Sequence, residues 1–262
     1  MNSQPPISTV LRRLHRSAVE WLHGWWRLLN FSILMLTVAV MPATYRRANR
    51  RILAHHLVRD TVPNLVWFGV LSALVSLVLI RIVVVTSQSY GLTRYALDLV
   101  VRVLTLELIP LTAAAFVALR TTLPAGLEFA QRRKAGAAST LEELRGEFFP
   151  RVAAGIFSVW MLAAVCCLLT LVLAYLSLYG FTPWALSGYT RVVGQVFNPA
   201  VALILVMKIV FFSFAVGLIP MASSFYAGGS YRVKVTHGLS DMVRLFAVIL
   251  LIEIASLMGN YY

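Results

Sequence analysis

The sequence predicts an all-α integral membrane protein: an N-terminal interfacial helix and five transmembrane helices, with a short cytoplasmic coupling helix between spans two and three. Three observations predict it. Five apolar stretches (Val62–Val85, Ala96–Leu119, Val152–Leu178, Ala200–Phe225 and Met242–Met258) approach or exceed the about 20 residues that cross a hydrocarbon core of roughly 30 Å. The connections between them alternate sharply in charge. The composition is 60% hydrophobic with a mean hydropathy of +0.81, which excludes an ordinary soluble domain.

The charge sets the topology. The net charge is +13, and nine of the 23 Lys and Arg residues lie in the first 60 positions. Arg120, Arg132, Arg133, Lys134, Arg145 and Arg151 flank the second loop, and Arg232, Lys234 and Arg244 flank the fourth. The first and third loops offer little beyond Arg94 and Arg191. This positive-inside pattern places the N-terminus and loops two and four in the cytoplasm and the C-terminus outside. The basicity is thus a topology signal with attraction to anionic headgroups, not a nucleic-acid footprint. The first 30 residues lack the h-region and cleavage site of a signal peptide.

Two regions follow: residues 1–61, interfacial and basic, and residues 62–262, the five-helix membrane domain. In residues 8–30, Leu11, Leu14, Ala18, Trp21, Leu22, Trp25 and Leu29 recur at helical spacing while arginines take other faces, which suits the headgroup boundary. Phe31–Met41 is too short to span and reads as a separate interfacial segment ending at Pro42. Tyr45–Asp60 reads as a basic surface helix. Between spans two and three, Ser139 with Glu142, or Thr140 with Glu143, forms a capping-box pattern that predicts a short helix ending before Pro150. Gly180–Gly194 reads as an outside loop with interfacial aromatics, and Ala227–Ser230 as a turn.

Function must come from what interrupts the apolar runs. Ionisable groups within spans are costly and therefore candidates: Arg81, Asp98, Arg102, Glu107, Lys208 and Glu253. Asp98 and Arg102 stand four apart and pair on one helical face. Arg81 lies near a span end and snorkels. Glu107, Lys208 and Glu253 fit either interhelical ion pairing or a polar patch for a charged headgroup. Tyr90, at the outer end of span one, can meet acyl chains with its ring and a headgroup with its hydroxyl, and Leu79 belongs to the same apolar wall. No catalytic constellation, Walker motif or metal-ligand spacing is present, so neither a cofactor nor intrinsic ATPase activity is expected. Adjacent Cys166 and Cys167 read as buried thiols.

Several stretches resemble the MlaE (YrbE) family of permeases. Gln88-Ser89-Tyr90 resembles the family's Q-x-Y, and Leu106-Glu107-Leu108-Ile109-Pro110 its R-E-L-G-P, with Leu106 and Ile109 in place of the arginine and glycine. Arg120 and Glu128 match a G-R…A-E spacing, and Pro150-Arg151 the P-R that opens span three. Lys208, Gly228-Gly229 with Thr236 and Val243, and Glu253 follow in family order. The likeness runs from about residue 10 to 259. The family's coupling segment is shortened to Thr140-Leu141-Glu142-Glu143-Leu144.

The resemblance implies the permease subunit of a lipid (phospholipid) ABC transporter in a bacterial inner membrane, paired as a homodimer. A cytoplasmic ATP-binding subunit would dock on the coupling segment (Thr140, Glu142, Glu143, Leu144), and a periplasmic MCE-domain protein would sit on the outer face. Lipid would bind in an outward-facing cavity at the dimer interface; the expected contacts are Leu79, Tyr90, Glu107 and Lys208. Two alternatives stay open: an inactive or scaffolding partner of a related permease, favoured by the shortened coupling segment, and a stand-alone carrier, which inverted repeats and broken helices would mark.

Overall fold

The computed structural model describes residues 7–132, 141–226 and 231–261. Helix makes up nearly all of them, and no strand occurs among the described residues. Five helices are long and apolar enough to cross a membrane: Asn49–Ser89, Tyr95–Gln131, Leu141–Tyr179, Pro199–Tyr226 and Leu239–Asn260. Each contains one of the five stretches named above. The ends of the bundle differ: one carries the arginine-rich segments (the basic end), and the other (the far end) holds the turns at Tyr90–Leu92 and Gly180–Thr182.

Helix α1, Ile7–Val40, is one uninterrupted element, so Phe31–Met41 is not a separate segment. No proline intervenes before Pro42, and the run has an inner face: Phe31, Met35 and Val38 are buried at helical spacing while Ile33, Leu36 and Val40 are exposed. Helix α2, Arg47–Ser89, likewise fuses the basic surface helix with the first span, so the boundary drawn at residues 61 and 62 falls inside a continuous helix. Pro63 lies within it, beside polar Thr61 and Asn64. Thr61 shares a hydrogen bond with Ser158 (2.7 Å), and Asn64 donates to Asp60 O and Thr121 Oγ1 (2.6 Å each). Polar neighbours of this kind stabilise a proline-interrupted membrane helix.

Helix α3, residues 93–132, contains two wide π-type stretches, Val101–Leu108 and Ala118–Thr122. Helix α4 begins at Leu141 and runs through Pro150 to Tyr179. The expected stop before Pro150 is absent, because Pro150 occupies the first turn of the α-helical part, where its missing N–H costs least. A π-type turn, Leu144–Phe148, leads into it. The predicted capping residues Ser139 and Thr140, and the turn at residues 227–230, lie outside the described residues. The loop after Tyr179 is partly helical: α5, Leu186–Val196, is pinned by Tyr189, whose hydroxyl donates to Leu171 O at 2.7 Å. Helices α6, Pro199–Tyr226, and α7, Tyr231–Tyr261, complete the bundle.

In lipid, helices associate through close packing and interhelical hydrogen bonds rather than through the hydrophobic effect. Helices α2 and α4 run parallel and are joined by Thr61–Ser158 near the basic end and by Ser76–Thr170 (3.0 Å) deeper in. Helices α4 and α6 meet at two glycines: a Cβ at Gly217 would stand 3.0 Å from Val152 O, and one at Gly155 would stand 3.4 Å from the Gly217 Cα. At the basic end, Phe31, Phe129, Phe148, Leu144 and Met221 form an aromatic-rich cluster that ties α1 to the bundle.

Candidate functional site

Three helices bring Glu107, Lys208 and Glu253 together in the bundle interior. Lys208 is 9 residues past the start of α6, roughly 14 Å from the far end at 1.5 Å per residue, so the site lies in the half away from the basic end. The Lys208 ammonium contacts a Glu107 carboxylate oxygen and stands 2.8 Å from Glu253 Oε2. It also donates to the carbonyl of Leu106 at 3.1 Å. Asn260 Nδ2 donates to the other Glu107 oxygen, Oε1, at 3.1 Å. The Lys208 and Glu107 side chains are only 1% and 13% exposed, and that of Glu253 is 10% exposed.

Local sequence explains why this pocket of charge forms. Pro110 has no backbone N–H, so the helix lacks one donor where the π-type stretch Val101–Leu108 gives way to α-helix. The Lys208 ammonium donates to the Leu106 carbonyl in this turn. The π-type stretch ending at Leu108 loosens the same turn, and the Thr105 carbonyl there accepts from the Cys167 thiol at 3.4 Å. Glu253 and Asn260, seven residues apart, fall on one face of α7, which is how a single helix supplies both partners.

One ammonium therefore faces two carboxylates in a region from which water is largely excluded. The ammonium hydrogen-bonds to Glu107 and to the Leu106 carbonyl, and holds Glu253 Oε2 at ion-pair distance without a hydrogen bond to it. The cluster leaves two buried acceptors, Glu253 Oε2 and Asn260 Oδ1, without a hydrogen bond among the described residues and carries one acidic group in excess of basic ones.

Of the expected lipid-contacting residues, the structure brings Glu107 and Lys208 together and leaves the others apart. Tyr90 caps α2 at the far end and is 76% exposed. Glu107 lies 14 residues into α3, about 21 Å down its axis. Leu79 is half-buried against Ile80, Val84, Val100, Leu104 and Ala174, on the wall between α2, α3 and α4. Asn260 was missed by the reading of the sequence: it sits at the chain's end, and only its seven-residue spacing from Glu253 signals a shared face. Asp98 and Arg102 pair as expected, Nε to Oδ2 at 3.1 Å, both half-exposed. Arg81 is exposed in the part of α2 toward the far end.

Of the expected coupling residues, Glu142 is exposed, Glu143 is half-buried, and Leu144 is 3% exposed among Phe31, Met35, Phe129 and Phe148. Thr140 lies outside the described residues. The Leu144 side chain anchors the segment to the bundle, leaving Leu141 and Glu142 as its outward face.

Fold and site together define a multi-pass membrane protein, a five-span helical bundle closed around an interhelical ion cluster. The chain belongs to the MlaE permease family, described as permease MlaE, which matches residues 53–258. The match covers every element of the cluster except Asn260. No curated protein matches the chain. The family places it among the membrane subunits of ABC-type transporters, whose ATP hydrolysis is the work of a separate ATPase partner.

Proposed function

We propose that this chain is the permease subunit of a transporter that moves phospholipid between a bacterial inner membrane and a periplasmic MCE-domain partner, acting as a homodimer driven by a cytoplasmic ATPase. The observation that carries the reading is the Glu107–Lys208–Glu253 cluster, held in the half of the bundle away from the basic end. A permease for water-soluble solutes needs a continuous polar path; here the Glu107–Lys208–Glu253 cluster occupies a single depth of the bundle, and the exposed faces of the spans are mostly apolar. Exposed Tyr90, Leu92 and Tyr95 at the far end supply aromatic and apolar surface at headgroup level, where a lipid leaving the bilayer passes. In this reading the charged cluster sets the polarity of the cavity wall that a headgroup meets, and Leu79 and Tyr90 contact acyl chain and headgroup boundary. The basic end faces the cytoplasm, by the distribution of Lys and Arg. The ATPase docks there on Leu141, Glu142 and Glu143, which Leu144 holds in place. Photo-crosslinking probes at positions 79, 90 and 208, with a probe at exposed Leu168 as control, test the lipid path. Crosslinks to phospholipid stronger than at the control are expected; equal labelling at all four positions refutes the path.

A further inference from the structure

A second polar site lies at the basic end. Helices α2, α3 and α4 enclose a cavity of about 400 Å³ lined by His56, Arg59, Asp60, Arg120, Glu128 and Arg151, among others. Three guanidinium groups and an imidazole meet two carboxylates, so the cavity keeps at least one surplus positive charge. Arg151 is engaged: its Nη1 stands 3.9 Å from Glu128 Oε2, and its guanidinium lies 4.5 Å from the Phe129 ring centroid. Arg59 and Arg120 enter no ion pair among the described residues. The surplus therefore sits on those two. Two guanidinium groups lining one cavity offer planar donors suited to the oxygens of a phosphate.

The cavity is not closed toward the membrane. The Arg120 guanidinium lies 5.7 Å from the Trp67 ring and 5.6 Å from that of Phe116. Trp67 is 65% exposed and opens a stripe on α2 that continues, at helical spacing, through exposed Val70, Leu74 and Val78. A basic cavity at headgroup depth thus runs directly into an apolar stripe directed along the membrane normal. A free anion would use the first feature only; a lipid uses both.

We infer that this cavity binds the phosphate of an anionic phospholipid from the leaflet at the basic end, with an acyl chain laid along Trp67, Val70 and Leu74. The site is distinct from the ion cluster, since Arg120 lies 13 residues, about 20 Å, further along α3 than Glu107. The inference does not require that this lipid be transported.

The test is native mass spectrometry of the full chain in mild detergent, titrated with phosphatidylglycerol. Parallel arms use diacylglycerol of the same chains and inorganic phosphate as competitor. Phosphatidylglycerol is expected to bind and diacylglycerol not, with the lipid retained at millimolar phosphate. Arg59→Gln/Arg120→Gln should weaken lipid binding by about tenfold or more, the loss of one or two charge-assisted contacts. Arg81→Gln, an arginine at the other end of α2, should leave it unchanged. Should the double variant fail to fold, Arg59→Gln alone, an exposed surface change, carries the same expectation. Equal lipid binding by wild type and variant overturns the site. Equal binding of diacylglycerol removes the phosphate from it, and displacement by phosphate at lipid-equivalent concentration assigns it to a free anion and overturns the lipid.

Discussion

Removing the cation from the interior cluster tests the central feature of the fold. In Lys208→Met the Glu107 and Glu253 carboxylates face each other with no ammonium between them, and the Leu106 carbonyl loses the ammonium that donates to it. The side chains involved are between 1% and 13% exposed, so solvent compensates little. Breaking a buried pair by removing one partner costs about 3–5 kcal/mol, and the lost hydrogen bond to the Leu106 carbonyl adds to it. At about 2–4 °C per kcal/mol for a chain of this size, the melting temperature in detergent should fall by roughly 6–20 °C or more. The charge count gives the experiment its sign. Glu253→Gln removes the surplus acid and leaves a one-to-one pair, so its cost should be about 1 kcal/mol or less. Glu107→Gln/Lys208→Met/Glu253→Gln, in which no charge is stranded, should recover most of what Lys208→Met loses. Thermal unfolding followed by size-exclusion chromatography of the detergent-purified protein measures all three. If Lys208→Met melts with the wild type, or Glu253→Gln is as damaging as Lys208→Met, the cluster is hydrated and the argument from burial fails.

Three further outcomes follow from the same structure. Gly217→Leu should destabilise the bundle by about 1–3 kcal/mol or abolish its assembly, because even a Cβ there stands 3.0 Å from Val152 O, whereas Gly69→Leu, with nothing within 4 Å, should be tolerated; detergent melting curves compare them. Glu142→Lys/Glu143→Lys should reduce co-purification of the ATPase while leaving the protein inserted, and unchanged co-purification together with unchanged transport would remove the docking assignment. With a cysteine at Trp184, 92% exposed near the far end, an impermeant thiol reagent should label intact cells, and with one at exposed Glu142 it should not; the reverse pattern inverts the proposed orientation.

The number, order and approximate limits of the five spans were legible in the sequence, because a hydrocarbon core imposes a length and an apolarity that need no knowledge of neighbours. So were the costly residues: Glu107, Lys208 and Glu253 stand out because charge inside an apolar run has few bland explanations. Asp98 and Arg102 were paired by spacing alone, since four residues bring two side chains onto one face of a single helix. The joins between elements were not legible. The stretch after residue 30, the basic segment before Val62 and the segment before Pro150 all read as separate pieces, yet each is continuous with its neighbour. A proline signals a break, but whether it makes one depends on what partners the groups it frees. In the turn before Pro110 the Leu106 carbonyl accepts from a donor on another helix, about 100 residues later. Which of the three ionisable groups meet, that Asn260 joins them, that Tyr90 does not, and that Leu144 turns inward are facts about distances between helices. Local sequence sets the period and depth of a side chain along its own helix; only tertiary packing sets which helix stands opposite.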